Sequence, residues 1–141
     1  MKVNDNMKLD SQLCFPLYAA ARKIVNLYTP YLKPLGITYT QYIMFLVLWE
    51  EEKITVGDLC KRLKLDTGTV TPMLKNTEKQ GLIKRTRSEE DERVVVVSLT
   101  EEGKALYKKA KDIPTKLSSC VRLSPEEAMQ LYSTLYKLLE E

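Results

Sequence analysis

A mainly α-helical fold with one small β-hairpin is predicted by three features of the chain. Apolar residues recur at intervals of three and four through most of its 141 residues. Most of these stretches open on a Ser, Thr or Asp suited to capping a helix. One β-branched run, Val94-Val95-Val96-Val97, breaks the helical pattern.

The first helix is expected over Leu9 to Leu32, with Leu13, Leu17, Ala21, Ile24, Val25, Tyr28 and Leu32 on its stripe and Asp10 or Ser11 as cap. Pro16 lies in its first turn or kinks it, and Pro30 and Pro34 interrupt or end it before Gly36. A second helix opens at Thr38, with Gln41 completing a capping box, and runs through Trp49. Its nearly continuous apolar character predicts burial. A third, short helix opens at Thr55 with Asp58 three residues on, and places Val56, Leu59, Cys60 and Leu63 on one face. Asp66 or Thr67 caps a fourth, which carries Val70, Met73, Leu74 and Thr77 and stops at Gly81. Two short amphipathic helices joined by a tight connection form a helix-turn-helix pattern.

Leu82 to Arg87 and Arg93 to Leu99 read as two strands around a charged turn, Ser88 to Glu92. Thr100 caps a fifth helix, kinked or broken at Pro114; Ser124, Pro125 and Glu127 open a sixth, with Ala128, Leu131, Tyr132, Leu135, Leu138 and Leu139 on one face. The expected architecture is one domain over 1–141, a winged helix-turn-helix over 37–100 flanked by helical regions at 1–36 and 101–141. The terminal stripes have no partner within so short a chain, which predicts an intertwined homodimer of C2 symmetry built from those two regions.

Composition narrows the function. There is no histidine, so His-dependent triads, HExxH helices and Cys2His2 fingers are excluded, and the five glycines form no GxGxxG or Walker A loop. No cofactor or metal is implied, and a non-enzymatic role is expected. The longest apolar run, Tyr42 to Trp49, is far below the roughly 20 residues of a membrane span. The opening residues lack the pattern of a secretory leader, and three cysteines without metal-type spacing suit a reducing compartment; a cytoplasmic protein is expected.

The net charge of +3 is concentrated. Within 61–87, Lys61, Arg62, Lys64, Lys75, Lys79, Lys84, Arg85 and Arg87 face only Asp66 and Glu78, a patch that draws a polyanion if the scaffold presents it. In helix-turn-helix docking the second helix enters the major groove by its N-terminal end. Here that end carries Thr67, Gly68, Thr69, Thr71 and Pro72: the threonine hydroxyls suit bases or phosphates when they are not simply capping and surface groups, and Gly68 lets the backbone come close. Lys75 and Lys79 are placed for phosphates. Arg87 and Arg93 on the hairpin suit a minor groove, with Asp91 able to hold one guanidinium through a bidentate pair. Double-stranded DNA is the expected partner.

At Leu65-Asp66-Thr67-Gly68-Thr69-Val70-Thr71-Pro72-Met73-Leu74-Lys75, at Gln80-Gly81-Leu82-Ile83, and at Ser88-Glu89-Glu90-Asp91-Glu92-Arg93 followed by Ser98-Leu99-Thr100-Glu101-Glu102-Gly103, the chain resembles the MarR family of winged-helix repressors. Gln12-Leu13-Cys14-Phe15-Pro16-Leu17-Tyr18 resembles the organic-hydroperoxide-responsive branch, OhrR, from which Pro16 departs. The resemblance implies a dimer on a pseudo-palindromic operator, the second helix of the motif in the major groove and the wing arginine in the minor groove.

It also implies that Cys14 is the sensing thiol. A cysteine on an apolar stripe is more often a small core hydrophobe; the family motif reverses that. A sensing thiol must be partly accessible and stabilised as thiolate, and a helix N-terminus contributes to this. The resemblance adds the hydroxyls of Tyr28 and Tyr39, reaching across from the partner subunit, with Tyr18 a weaker third. Cys60 reads as core. Cys120, after Pro114, lies where some members of the branch carry a resolving cysteine, and two fates are open for oxidised Cys14: a disulfide with the partner subunit's Cys120, or capping by a small cellular thiol. The function implied is a repressor that releases its operator when Cys14 is oxidised by an organic hydroperoxide. The alternatives are a repressor relieved by a non-covalent apolar or phenolic ligand and, more remotely, a thiol-dependent peroxidase.

Overall fold

The structure is a computed structural model and describes residues 1–140. Its elements are α1 (Cys14–Leu32), α2 (Tyr39–Glu51), β1 (Lys53–Thr55), α3 (Val56–Leu63), α4 (Thr67–Lys79), β2 (Ile83–Arg87), β3 (Val95–Leu99), α5 (Glu101–Ala110), α6 (Ile113–Ser118) and α7 (Pro125–Leu139). The expected mainly α fold with a hairpin wing is present. Among the described residues no helix is long and apolar enough to cross a membrane.

Local capping explains most boundaries. Thr38 and Gln41 form the expected reciprocal box at α2, as do Ser124 and Glu127 at α7. Asp66, rather than Thr67, caps α4 by accepting the Thr69 N–H at 2.8 Å. At α3 only half of the box forms, because the Asp58 carboxylate accepts the Thr55 hydroxyl instead of a backbone N–H.

The first helix is shorter than expected. It begins at Cys14, not Leu9, and neither Asp10 nor Ser11 caps it; residues 5–7 and 9–11 form isolated 3-10 turns. Pro16 is the third residue of α1, where its missing N–H has no intrahelical partner to lose, so the departure from the branch motif disturbs nothing. The helix runs through Pro30. A 3-10 turn at Lys33–Leu35 and left-handed Gly36 (φ 69°) then reverse the chain. Pro114 breaks the fifth helix into α5 and α6 rather than kinking it.

The sheet has three strands, not two, in the order β1-β3-β2. Both neighbours run antiparallel to β3, with Ile54 and Arg85 on either side of Val97. Val97, Ile83, Leu59, Val70, Leu74, Phe45 and Leu48 close one core beneath α2, α3 and α4. The hairpin strands each begin later than the sequence suggested, at Ile83 and Val95.

The segment from Leu99 to Gly103 joins the wing to α5. Thr100 Oγ1 accepts the Gly103 N–H at 3.1 Å and donates to the Gly81 carbonyl at 2.7 Å, capping α5 while tying it to the turn after α4. A Cβ on Gly103 would collide with the Leu82 carbonyl. Alanine in a helix interior ordinarily stabilises by about 1 kcal/mol over glycine. Here Gly103→Ala is expected to lower the thermal midpoint instead, since the colliding atom is backbone and cannot rotate away; an unchanged or higher midpoint would refute the close approach.

Terminal apolar residues remain uncovered. Leu13, Phe15, Leu17, Tyr18 and Ile24 of the first helical region are exposed, and α7 buries no residue although Met129, Leu131, Tyr132, Tyr136, Leu138 and Leu139 line it.

Candidate DNA-binding surface and redox thiol

The helix-turn-helix is held by a left-handed Lys64 (φ 51°) that closes α3 and turns the chain into α4. At the N-terminal end of α4, Thr67, Gly68, Thr69 and Pro72 are exposed and Thr71 is half-buried. These residues therefore stand together at an uncovered helix terminus. Part of their chemistry is committed to the fold. Thr69 Oγ1 donates to Asp66 Oδ2 at 3.1 Å, and a Cβ on Gly68 would lie 3.0 Å from Asp66 Oδ1, so glycine makes room for the capping carboxylate. Hydrogen bonds from the Thr69 N–H and hydroxyl hold the Asp66 carboxyl below its ordinary range.

The basic patch is thinner than the sequence suggests. Arg62 pairs with Glu50 and Glu51 at 2.7 and 2.8 Å and fastens α3 to α2, while Lys61 meets Asp58 at 3.4 Å. Arg85 is clamped by Glu78: its N–H, Nε and Nη2 donate to the carboxylate at 2.9, 3.0 and 2.8 Å. Lys75, Lys79 and Lys84 remain exposed.

The Glu78–Arg85 clamp joins the last turn of α4 to the first strand of the wing. No helical or strand period links a helix end to a strand seven residues later, so sequence reasoning did not find it. Arg85 draws the Glu78 carboxyl below the usual glutamate range of about 4.3. A lowered folded value means that the pair stabilises above the unfolded carboxyl value and is lost as pH falls through the folded one. The thermal midpoint is thus expected to hold at neutral pH and fall below about pH 4, with Glu78→Gln lowering it at pH 7 and flattening the acid limb. An acid limb identical in that variant would remove the clamp from the argument.

At the wing tip, Asp91 takes Arg93 in the expected bidentate pair, with Nε and Nη2 each 3.1 Å from a carboxylate oxygen and the Arg93 N–H at 3.0 Å. The Arg93 side chain is 90% exposed, so the pair orients the guanidinium without covering it. These same donors hold the Asp91 carboxyl low. Arg87 instead donates to the Glu92 carbonyl at 2.6 Å.

Cys14 is the first residue of α1 and is exposed. The cysteine sulfur therefore stands where backbone N–H groups have no intrahelical acceptor. Tyr28 and Tyr39 are half-buried against each other, ring centroids 4.8 Å apart, with Tyr42 at 5.4 Å from Tyr28. Burial raises all three phenols above their ordinary value, which keeps them protonated donors. Tyr42 was not anticipated as part of this group, because in sequence it is one more apolar residue of α2.

Within one protomer Cys14 and the tyrosines do not meet. Cys14 and Tyr28 share α1, and fourteen residues of helix separate them by about 21 Å. Tyr18, one turn from Cys14, is exposed, with the Arg22 guanidinium 5.5 Å from its ring centre. Cys120 is exposed just after α6 and its sulfur lies 3.5 Å from the Lys116 carbonyl. Cys60 is half-buried and packs against the core, with Sγ 4.0 Å from Thr67 Oγ1.

Comparison with known proteins places this arrangement. A family model described as transcriptional regulator SarA/Rot matches residues 26–110. The chain is 54% identical over 136 residues to the organic hydroperoxide resistance transcriptional regulator of Bacillus subtilis strain 168, covering 96% of this chain and 92% of that one. Among solved structures it is similar to AbfR of Staphylococcus epidermidis. Reduced AbfR bound to DNA superposes with a TM-score of 0.80 at 35% identity, covering 96% and 94% of the two chains. Disulfide-formed AbfR superposes with a TM-score of 0.63 at 36% identity, covering 96% of each. A cysteine-to-serine mutant of E. coli MarR complexed with operator DNA gives 0.81 at 27% identity, covering 99% and 100%. From matching family model, whole-length relatives and shared winged-helix architecture, the chain belongs to the MarR/SarA family of transcriptional regulators.

Proposed function

We propose that this protein is a cytoplasmic, homodimeric repressor that holds a pseudo-palindromic operator while Cys14 is reduced and releases it when an organic hydroperoxide oxidises that thiol. The observation that carries the reading is an exposed cysteine at the first position of α1, in a chain 54% identical along its length to a regulator named for organic hydroperoxide resistance. The fold superposes better on DNA-bound AbfR, whether reduced or overoxidized, than on its disulfide form, which suits a DNA-binding arrangement.

The uncovered apolar faces of α1 and α7 support the dimer, since a monomer would leave both stripes in water. In that dimer the partner subunit supplies Tyr28 and Tyr39 to Cys14, a reading supported by the separation of about 21 Å along α1 (about 1.5 Å per residue) that keeps Tyr28 of the same protomer away. Residues 1–36 and 101–141 supply the dimer contacts and 37–100 the DNA contacts. Thr67, Gly68, Thr69, Thr71 and Pro72 meet the major groove, Lys75 and Lys79 phosphates, and Arg93 with Arg87 the minor groove, Asp91 steering Arg93.

Chemically, the Cys14 thiolate attacks one peroxide oxygen; an S–O bond forms, the O–O bond breaks, and the departing alkoxide takes a proton to leave as alcohol. Sulfur loses two electrons to the peroxide. The sulfenic acid then condenses with a second thiol, forming S–S and releasing water. The exposed Cys120 of the partner is one candidate and a small cellular thiol the other. Either product replaces a small hydrogen-bonded sulfur by a larger or cross-linked one at the start of α1. If α1 sets the spacing of the two winged helices, their match to half-sites about 34 Å apart is lost.

The test is fluorescence anisotropy of the reduced protein on DNA from upstream of its own gene, followed by stoichiometric cumene hydroperoxide and then dithiothreitol. Binding lost to the peroxide and restored by the reductant is the expected result. Binding that ignores peroxide keeps the winged helix and moves the effector to a non-covalent ligand; sustained hydroperoxide turnover with excess thiol and no DNA binding overturns the reading. Non-reducing electrophoresis decides the second thiol, since a peroxide-induced dimer band that survives Cys120→Ser excludes Cys120.

A further inference from the structure

Two polar side chains are buried among the described residues, Gln41 at 2% exposure and Thr77 at 0%, and they bind each other. Gln41 Nε2 donates to Thr77 Oγ1 and to Gln80 Oε1, both at 2.8 Å, while Gln41 Oε1 accepts the Thr38 N–H at 2.9 Å. Thr77 Oγ1 donates onward to the Met73 carbonyl at 2.8 Å, and Gln80 Nε2 donates to the Gly36 carbonyl at 2.8 Å. Every hydrogen-bonding atom of the Gln41 amide is engaged, and no buried side-chain nitrogen or oxygen is left unpartnered among the described residues.

This network has a place in the fold that its capping role does not require. Gln41 lies in the first turn of α2, two residues after Tyr39, whose ring packs on Tyr28. Thr77 and Gln80 lie at the C-terminal end of α4, beside Lys79 and opposite the end that carries the major-groove residues Thr67 to Pro72. Apolar contacts between α2 and α4 tolerate small slips, because dispersion is shallow and undirected. A hydrogen bond in a dry interior does not, since a slip strands a desolvated donor.

We propose that Gln41, Thr77 and Gln80 are positioning residues that lock the Tyr39 turn of α2 to the C-terminal end of α4, so that a shift of that turn on Cys14 oxidation moves the recognition helix with it. The inference rests on the redox reading above. It concerns the step between thiol and DNA, which neither end of the molecule supplies. Cut the lock, and the displacement at Tyr39 is absorbed between α2 and α4.

Operator affinity of the full-length protein, on the duplex from upstream of its own gene, is to be measured before and after stoichiometric cumene hydroperoxide for wild type, Thr77→Val and Gln80→Ala. Thr77→Val deletes the hydroxyl with little change of shape. Gln80 is exposed, so its alanine variant carries the test if Thr77→Val fails to fold. Wild type is expected to weaken about a hundredfold on oxidation, within the usual span of coupling between sites. Both variants are expected to keep reduced affinity within about threefold and to weaken less than about tenfold. A purely structural network would lower the melting temperature and leave the oxidised-to-reduced ratio at the wild-type value, which overturns the proposal. A folded Gln80→Ala protein without reduced binding overturns it too, by placing Gln80 at the DNA. Wild type that ignores peroxide instead refutes the redox reading on which the proposal stands.

Discussion

Cys14→Ser is expected to bind its operator as tightly as the reduced protein and to hold it through peroxide treatment. Serine retains the size of the side chain and a hydrogen-bonding atom but forms no thiolate, and the thiolate is what attacks the peroxide bond. The position is exposed at the first residue of α1, so the exchange is expected to change stability by no more than about 0.5 kcal/mol. A hundredfold release requires oxidation to cost about 2.7 kcal/mol of binding free energy, and the whole of that disappears in the variant. Anisotropy titrations of both proteins, reduced and after one equivalent of cumene hydroperoxide, measure the ratio directly. Peroxide-driven release from Cys14→Ser would move the sensor to Cys60, half-buried 4.0 Å from Thr67 at the start of the recognition helix, or to Cys120.

Arg93→Ala is expected to weaken operator binding by about 1 to 3 kcal/mol, or roughly 5- to 150-fold, without lowering the melting temperature. The guanidinium is 90% exposed and makes no contact that stabilises the fold beyond its own turn. As an exposed ion pair with Asp91 it contributes little to stability, and the value of the pair is geometric. With the Nε–Nη2 edge and the backbone N–H fixed to one carboxylate, the side chain enters a groove with less freedom to lose and its other edge free. Asp91→Asn is therefore expected to weaken binding in the same direction by a smaller factor. Lys75→Ala should behave differently, reducing affinity evenly across sequences and lowering the salt slope by about one unit. Operator binding by Arg93→Ala that equals wild type would remove the wing from the interface.

Much of the site was legible because its signals are local. Asp66 and Thr100 act as caps within three residues of their partners, and the Asp91–Arg93 pair spans two. Gly68 carries a second role that its place in the motif did not show, since a Cβ there would crowd the Asp66 cap. The eight-cation patch also lost members once folded, since Arg62 found Glu51 and Glu50 across eleven and twelve residues. Charge counted along the chain does not know which partners the fold supplies.

The start of α1 shows the same limit from another side. Asp10 and Ser11 carry the right chemistry for a cap, but the helix begins at Cys14, after two 3-10 turns. Strand β1 is only three residues long, too short for any period, and exists because β3 offers it an open edge.

By itself the sequence determined the helix-turn-helix and its hairpin, the caps of α2, α3, α5 and α7, the absence of histidine chemistry and the family to which the chain belongs. Those follow from composition, from spacing within a few residues and from motif. The tertiary structure alone decided that Glu78 clamps the wing to α4, that Gln41 and Thr77 meet in the core across 36 residues, and that Tyr42 joins Tyr28 and Tyr39. The physical reason is the same in each case. Caps and periods depend on neighbours the chain cannot avoid, whereas clamps, buried pairs and distances depend on which distant surfaces the collapse of the core brings together.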